Sequence, residues 1–365
     1  TISYNDGPTE DVLMSSNEVK AEYDLNSPGE KTIKITYQEK SVTFIVTVRY
    51  EEVIFNDKNM YKAVIEQLGE NAFAEKDDEK YIIKFGWKQL DSVTKLELNN
   101  NNITNIKGIE KFSQLTELNI SNNNITDISG ISKLGNLSTL EMYGNTIADI
   151  TPISKLINLR VLNLSKNKLE DNIDDSENIV TQKVSGLTNL VELDMSHNYL
   201  RYTEGLDKLT NLTTLNLYDN AIQDLSGLNN LVNLVTLKLG ENNEQGARNI
   251  DNIDILNSLV NLKYLDFSEN NVQEIIENIT NLKNLEVLNL EKNQLTDISE
   301  LGKLINLKDV NLYNNKITEI SQLAQLQYIE KLILNKNGIS SLKGIANNNK
   351  LVWNNIKELD IAENN

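Results

Sequence analysis

From residue 93 onward the apolar positions fall into one recurring phrase, LxxLxLxxNxI, followed by a tail with three more spaced apolar residues. A clean copy is LTELNISNNNITDISGISKLGN at 115–136, and LSTLEMYGNTIADITPISKLIN follows at 137–158. Seven of the eleven complete copies are 22 residues long. A fixed period in this range marks a solenoid, in which each unit buries its apolar face only against its neighbours. Alternation at Leu118 and Ile120, or at Leu215 and Leu217, is strand periodicity with both side chains turned inward. Ile125, Ile128, Ile131 and Leu134 recur too tightly for an extended α-helix and predict a turn plus a 3₁₀ or short helical segment. Stacked copies place their strands side by side in one curved parallel sheet. Twelve strands are expected, starting at Lys95, Glu117, Thr139, Val161, Glu192, Thr214, Thr236, Tyr264, Val287, Asp309, Lys331 and Glu358. At about 4.8 Å per strand they span about 55 Å, enough to embrace a protein domain or a long polymer.

One polar position is as regular as the leucines. Asn101, Asn123, Asn145, Asn167, Asn198, Asn220, Asn242, Asn270, Asn293, Asn315, Asn337 and Asn364 occupy the same place in every copy. An amide both donates and accepts, so a stacked column can satisfy buried backbone groups of its own coil and the next.

Before the repeats the pattern changes. Residues 32–37 and 42–48 are alternating, β-branched runs joined by Gln38-Glu39-Lys40, which predicts a hairpin. Asn56-Asp57-Lys58-Asn59 precedes Met60, Ala63, Val64, Ile65 and Leu68, with Gly69 after them. That is the signature of a helix of about three turns. Its apolar face, with Phe73, Ile82, Phe85, Trp87 and Leu90, is expected to seal the first coil. The divisions this predicts are 1–49, 50–92 and 93–365.

Two resemblances attach to these residues. EYDLNSPGEKTIKITYQEKSVTFIVTV resembles the latter part of bacterial Ig-like domains, in which a Pro-Gly turn precedes a final hairpin. FNDKNMYKAVIEQLG and the 22-residue phrase resemble the helical cap and leucine-rich repeats of internalin-type surface proteins of Gram-positive bacteria. This implies an α/β leucine-rich repeat solenoid with a 3₁₀ or short helical convex side, a helical cap and a small all-β Ig-like segment. The order differs from internalins, which usually carry their Ig-like unit after the repeats. The resemblance implies an extracellular protein, secreted or attached to the cell wall, that binds a protein, for instance a host surface receptor.

Composition narrows the function further. The formal net charge of −18 argues against nucleic acid and anionic membranes as partners. The chain has no cysteine, which excludes disulfides and thiolate metal sites. No apolar run approaches a membrane span, and a monomer is expected. The chain starts at Thr1 and stops mid-repeat at Asn365, so we expect a longer parent.

Catalytic arrangements are wanting. His197 is the sole histidine, and neither a Gly-x-Ser-x-Gly elbow nor a phosphate-binding glycine loop occurs. Carboxylates such as Glu97, Glu117, Glu141, Asp194 and Asp266 lie along the inner face, but an open sheet should not desolvate them as a glycosidase requires. No enzyme activity, no cofactor and no metal is expected. Three copies carry insertions, EDNIDDSENIVTQK, NNEQGARNID and NNNKLVWNN. Asp171, Asp174, Asp175 and Glu177 in the first lack the spacing of a calcium loop and read as a solvated acidic loop. Trp353 in the third reads as core.

The third, fifth, seventh and eighth residues of each phrase should face the concave side. There the candidate ligand-binding residues are Tyr143, Asp194, His197, Tyr218, Lys238, Tyr264, Asp266 and Tyr313, with Asp219, Glu241, Glu269 and Glu291 around them. Tyrosine offers large contact area with a polar tip, which favours a protein partner. Aromatic–carboxylate pairs also suit polysaccharide or cell-wall binding, and a non-catalytic architectural spacer is a further alternative.

Overall fold

The computed structural model describes residues 19–22, 29–37, 39–48, 50–86, 89–171, 179–242, 250–347 and 350–365. The expected hairpin is present: β2 (Gly29–Tyr37) and β3 (Lys40–Val48) pair antiparallel, and β1 (Val19–Glu22) adds to the other edge of β2.

Next come β4 (Glu51–Ile54), α1 (Lys58–Leu68), β5 (Glu75–Asp77) and β6 (Ile82–Phe85). The helix starts where the polar run predicts. Asp57 caps it, accepting from the backbone N–H groups of Asn59 and Met60 at 2.7 and 3.1 Å. Its other oxygen reaches into the first coil and accepts from the N–H and hydroxyl of Thr104, both at 2.8 Å. Burial pushes the Asp57 carboxyl up, but these bonds outweigh it and hold the group below its ordinary value. A small antiparallel sheet, in the order β4-β6-β5, was not foreseen from sequence. Phe85 stands edge-on to Phe112 of the first coil, ring centroids 5.9 Å apart, and Phe55 packs beside it. Contact is close enough that Gly108, at φ 106°, could not carry a Cβ without meeting the Ile54 carbonyl and Phe55 ring at 3.0 Å. Trp87 lies outside the described residues.

The repeats then supply the expected strands. They are β7 (Lys95–Glu97), β8 (Glu117–Asn119), β9 (Thr139–Glu141), β10 (Val161–Asn163), β11 (Glu192–Asp194) and β12 (Thr214–Asn216). They continue as β13 (Thr236–Lys238), β14 (Tyr264–Asp266), β15 (Val287–Asn289), β16 (Asp309–Asn311) and β17 (Lys331–Ile333). A short antiparallel pair, β18 (Ala346–Asn347) and β19 (Lys350–Leu351), fills the third insertion. β20 (Glu358–Asp360) ends the array. All twelve repeat strands form one parallel sheet in chain order, and all twelve begin at the expected residues. Equivalent leucines pair across it, Leu140 with Leu162, Leu193 with Leu215, and each is buried. The convex side is built of short 3₁₀ segments such as Ser129–Lys133 and Thr151–Lys155. Trp353 is core, its indole N–H donating to the Leu323 carbonyl at 3.2 Å.

The asparagine column binds backward, not forward. Asn220 Oδ1 accepts from Leu200 N–H of the preceding coil at 3.1 Å. Its amide donates to Met195 of that coil and to Leu217 of its own, both at 3.1 Å. Asn123, Asn145 and Asn315 repeat the pattern, so each amide bridges two coils where water does not reach. A second column, unread in the sequence, runs along the coil ends. Asn136, Asn158, Asn211 and Asn233 each donate to a carbonyl one coil back at 2.8–3.0 Å. Its signal was the Asn that precedes the first leucine of most copies.

The acidic first insertion differs from expectation. Asp171 is 2% exposed, not solvated. It accepts from Val180 N–H at 2.7 Å and Arg201 N–H at 2.8 Å, stitching its coil to the next as Asp57 does in the cap. Asp174, Asp175 and Glu177 lie outside the described residues, as does most of the second insertion.

Candidate binding surface

The inner face is set by four positions in each coil, and each does something different. The third residue opens the strand and its side chain stands on the sheet. The fifth is usually Asn or Asp, and it closes the strand by accepting from a backbone N–H two residues on. Asn163 does so for Ser165 at 3.0 Å, Asp194 for Ser196 at 2.9 Å and Asp266 for Ser268 at 3.0 Å. Asp266 is therefore only 8% exposed, and it is not the open charge the sequence led us to expect. Asp194 is half-buried, its second oxygen taken by Asn216 at 2.9 Å.

The eighth residue is left-handed in every coil, among them Asn122, Lys166, His197, Asp219, Glu241, Glu269 and Lys292, with φ between 50° and 56°. Only Gly144 uses glycine there. This turn lets the next residue, the column asparagine, point inward while the eighth side chain projects over the face. It also pairs neighbours along the array: His197 Nδ1 lies 2.7 Å from Asp219 Oδ2, and Lys292 lies 2.8 Å from Glu269.

The tyrosines are half-buried and braced. Tyr218 lies against Gly240 of the following coil, where an added Cβ would meet its ring carbons at 2.9 Å. His197 stands edge-on to it, centroids 5.6 Å apart. Burial, and then the hydrogen bond to Glu241, push the Tyr218 hydroxyl well above its ordinary range. Lys238 sits over Tyr264 at 5.8 Å, and burial raises that phenol as well. Lys336 donates to the Tyr313 hydroxyl at 2.8 Å, and Asn122 to that of Tyr143 at 3.4 Å. Asp194, His197, Tyr218, Lys238, Tyr264 and Asp266 thus belong to four adjacent coils, those of β11 to β14, while Tyr143 and Tyr313 lie on the β9 and β16 coils to either side. Sequence reasoning missed Gly240, whose signal is that it alone puts glycine at the seventh position.

Sequence profiles agree with this architecture. Leucine-rich repeat families match at 91–133, 155–173, 208–228, 261–282 and 283–325, and bacterial Ig-like domain (group 3) at 1–48. A search of curated proteins finds no match. Among solved structures, the internalin InlF of Listeria monocytogenes is 26% identical with a TM-score of 0.73, covering 85% of this chain and 83% of its own. The repeats are leucine-rich repeats of the internalin type. A leucine-rich repeat protein of Leptospira interrogans is also similar, 26% identical with a TM-score of 0.58 over 76% of this chain and 80% of its own. The functional domain of InlJ from Listeria monocytogenes shares the fold at 24% identity and a TM-score of 0.56, over 77% of this chain and 65% of its own.

InlJ is described as including a cysteine ladder. This array has no cysteine, and amides run along its column. Its fold is that of a binding scaffold. The inner face nonetheless desolvates acids more than an open sheet was expected to. Burial raises Glu141 and Asp309, with like charges adding to it. Among the described residues no helix is long and apolar enough to cross a membrane.

Proposed function

We propose that this internalin-type protein is a secreted or cell-surface bacterial binding protein whose inner face holds a protein partner. The observation that carries this is the set of four braced tyrosines on the inner face of one parallel sheet. Aromatic rings already packed against their neighbours lose little freedom on binding, which is how anchors of tight interfaces are built. Likeness to internalin InlF supports the same reading. The Ig-like unit at 1–49 and the cap at 50–92 then serve the array at 93–365. Pairs such as Tyr218 with Glu241 also favour a second reading, in which the ligand is a cell-wall or host polysaccharide.

Both readings place the ligand on the same face, and one experiment separates them. Immobilised protein is tested against a panel of host surface ectodomains and purified cell-wall polysaccharides. Tyr218→Ala and Tyr264→Ala should each weaken binding to an ectodomain by about 1–2 kcal/mol, with circular dichroism unchanged. Lys303→Ala, on the convex side, should bind as before. Loss confined to polysaccharide would favour the second reading, and loss in Lys303→Ala alone would reject both.

A further inference from the structure

The fifth inner position alternates acid and amide over the first half of the array: Glu97, Asn119, Glu141, Asn163, Asp194, Asn216 on β7 to β12. Each amide turns its N–H groups back to the acid of the preceding coil. Asn119 donates to Glu97 at 2.8 Å, Asn216 to Asp194 at 2.9 Å, and Asn163 to Glu141. Each amide oxygen is also taken, by Ser121, Ser165 and Tyr218 N–H at 3.0–3.1 Å. Each amide is therefore held at both its nitrogen and its oxygen, and it aims the carboxylate without neutralising it. Lys95 lies 3.0 Å from Glu97, but among the described residues no cation pairs with Glu141, Glu192 or Asp194. Lys166 is the only Lys or Arg at the inner positions of the β9 to β11 coils. Asp194, Glu97 and Glu192 all press on the half-buried Glu141 and add to the effect of its burial. The alternation stops at β13, where Lys238 stands in place of the next acid.

The spacing of this stripe is a ruler. Neighbouring strands lie about 4.8 Å apart, so successive acids are about 10 Å apart along the array. A polyproline II segment has three residues per turn at about 3.1 Å each, and so repeats a face about every 9 Å. A β-strand laid along the same line repeats a face at about 7 Å and falls out of step. We propose that the stripe Glu97–Glu141–Asp194 docks an extended, polyproline-like segment of a partner protein that carries Lys or Arg at every third residue. The segment would run along the array, across the strands, beside Tyr143. This inference rests on the inner-face reading above and specifies the partner's chemistry.

The test uses the full chain and three synthetic peptides with three lysines each on a proline-rich backbone. The lysines are spaced by two, three or four residues at equal net charge. Fluorescence anisotropy at physiological salt should show the three-residue spacing binding about tenfold tighter than the others. Glu141→Gln should abolish that preference, because Gln still accepts from Asn163 but carries no charge. Glu358→Gln, on β20, should leave it intact. Equal affinity for all spacings, or an undiminished preference in Glu141→Gln, would overturn the proposal. So would tighter binding of a helical peptide with lysines seven residues apart. If tyrosine variants weaken an ectodomain while the peptides show no spacing preference, the inner-face reading stands and this one falls. If the preference appears and the tyrosines prove irrelevant, the acidic stripe stands without that reading.

Discussion

Leu215→Ala should destabilise the array by about 2–5 kcal/mol, the largest single effect we expect. Leu215 is 0% exposed and sits in register between Leu193 on β11 and Leu237 on β13. Removing its isopropyl group opens a cavity facing two other coils. Close-packed neighbours relax only in part, so the lost contacts are not recovered. A solenoid has no distant core to share the loss, because each coil touches only its neighbours. Urea denaturation checks this against Ile305→Ala, a convex residue 52% exposed, which should change stability by less than about 0.5 kcal/mol. A cost below about 1 kcal/mol for Leu215→Ala would place it outside the core.

Asn220→Ala comes next, at about 1–3 kcal/mol. Alanine leaves the buried Leu200 N–H without its acceptor and takes from the Met195 and Leu217 carbonyls one of their two amide donors, the others being Asn198 and Asn242. The adjacent Asp219 makes the sharper control because its side chain is half exposed and pairs with His197 at the surface. Its backbone is left-handed at φ 53°, so alanine there would add strain of its own. Asp219→Gly avoids that and should shift stability by less than about 1 kcal/mol. Equal losses in the two variants would remove the case for the amide column.

The strands were legible because their period is local and strict. A two-residue alternation inside a 22-residue phrase fixes which leucines turn inward, and the start of every strand follows from that. The helix at Lys58–Leu68 was legible for a similar reason, a polar cap before apolar residues at helical spacing. The cap's antiparallel sheet was not. β4, β5 and β6 are three or four residues each, too short for a clear alternation, and β4 exists through pairing with β6 across about thirty positions of chain, which no local pattern reports.

The inner face was legible as a face but not as a surface. Periodicity says that Asp266 points the same way as Tyr264. It does not say that Ser268 draws the Asp266 carboxylate into a turn and covers it. Nor does it say that the asparagine amides reach backward, since direction depends on the left-handed residue before each of them. The tyrosines were found by type and position, yet what braces Tyr218 is an absence of side chain at Gly240. Such a contact belongs to two coils, and a phrase read one copy at a time does not contain it.

On the proposed reading, ligands are held on the sheet and not on the convex turns. A photoreactive phenylalanine analogue placed at 218, at 264 or at 303 tests it directly, in complex with whichever ectodomain or glycan the unsubstituted protein binds. Irradiation should join the ligand to the protein from positions 218 and 264 and not from 303. Adducts from 303 alone would place the ligand on the convex turns and rule out the inner face.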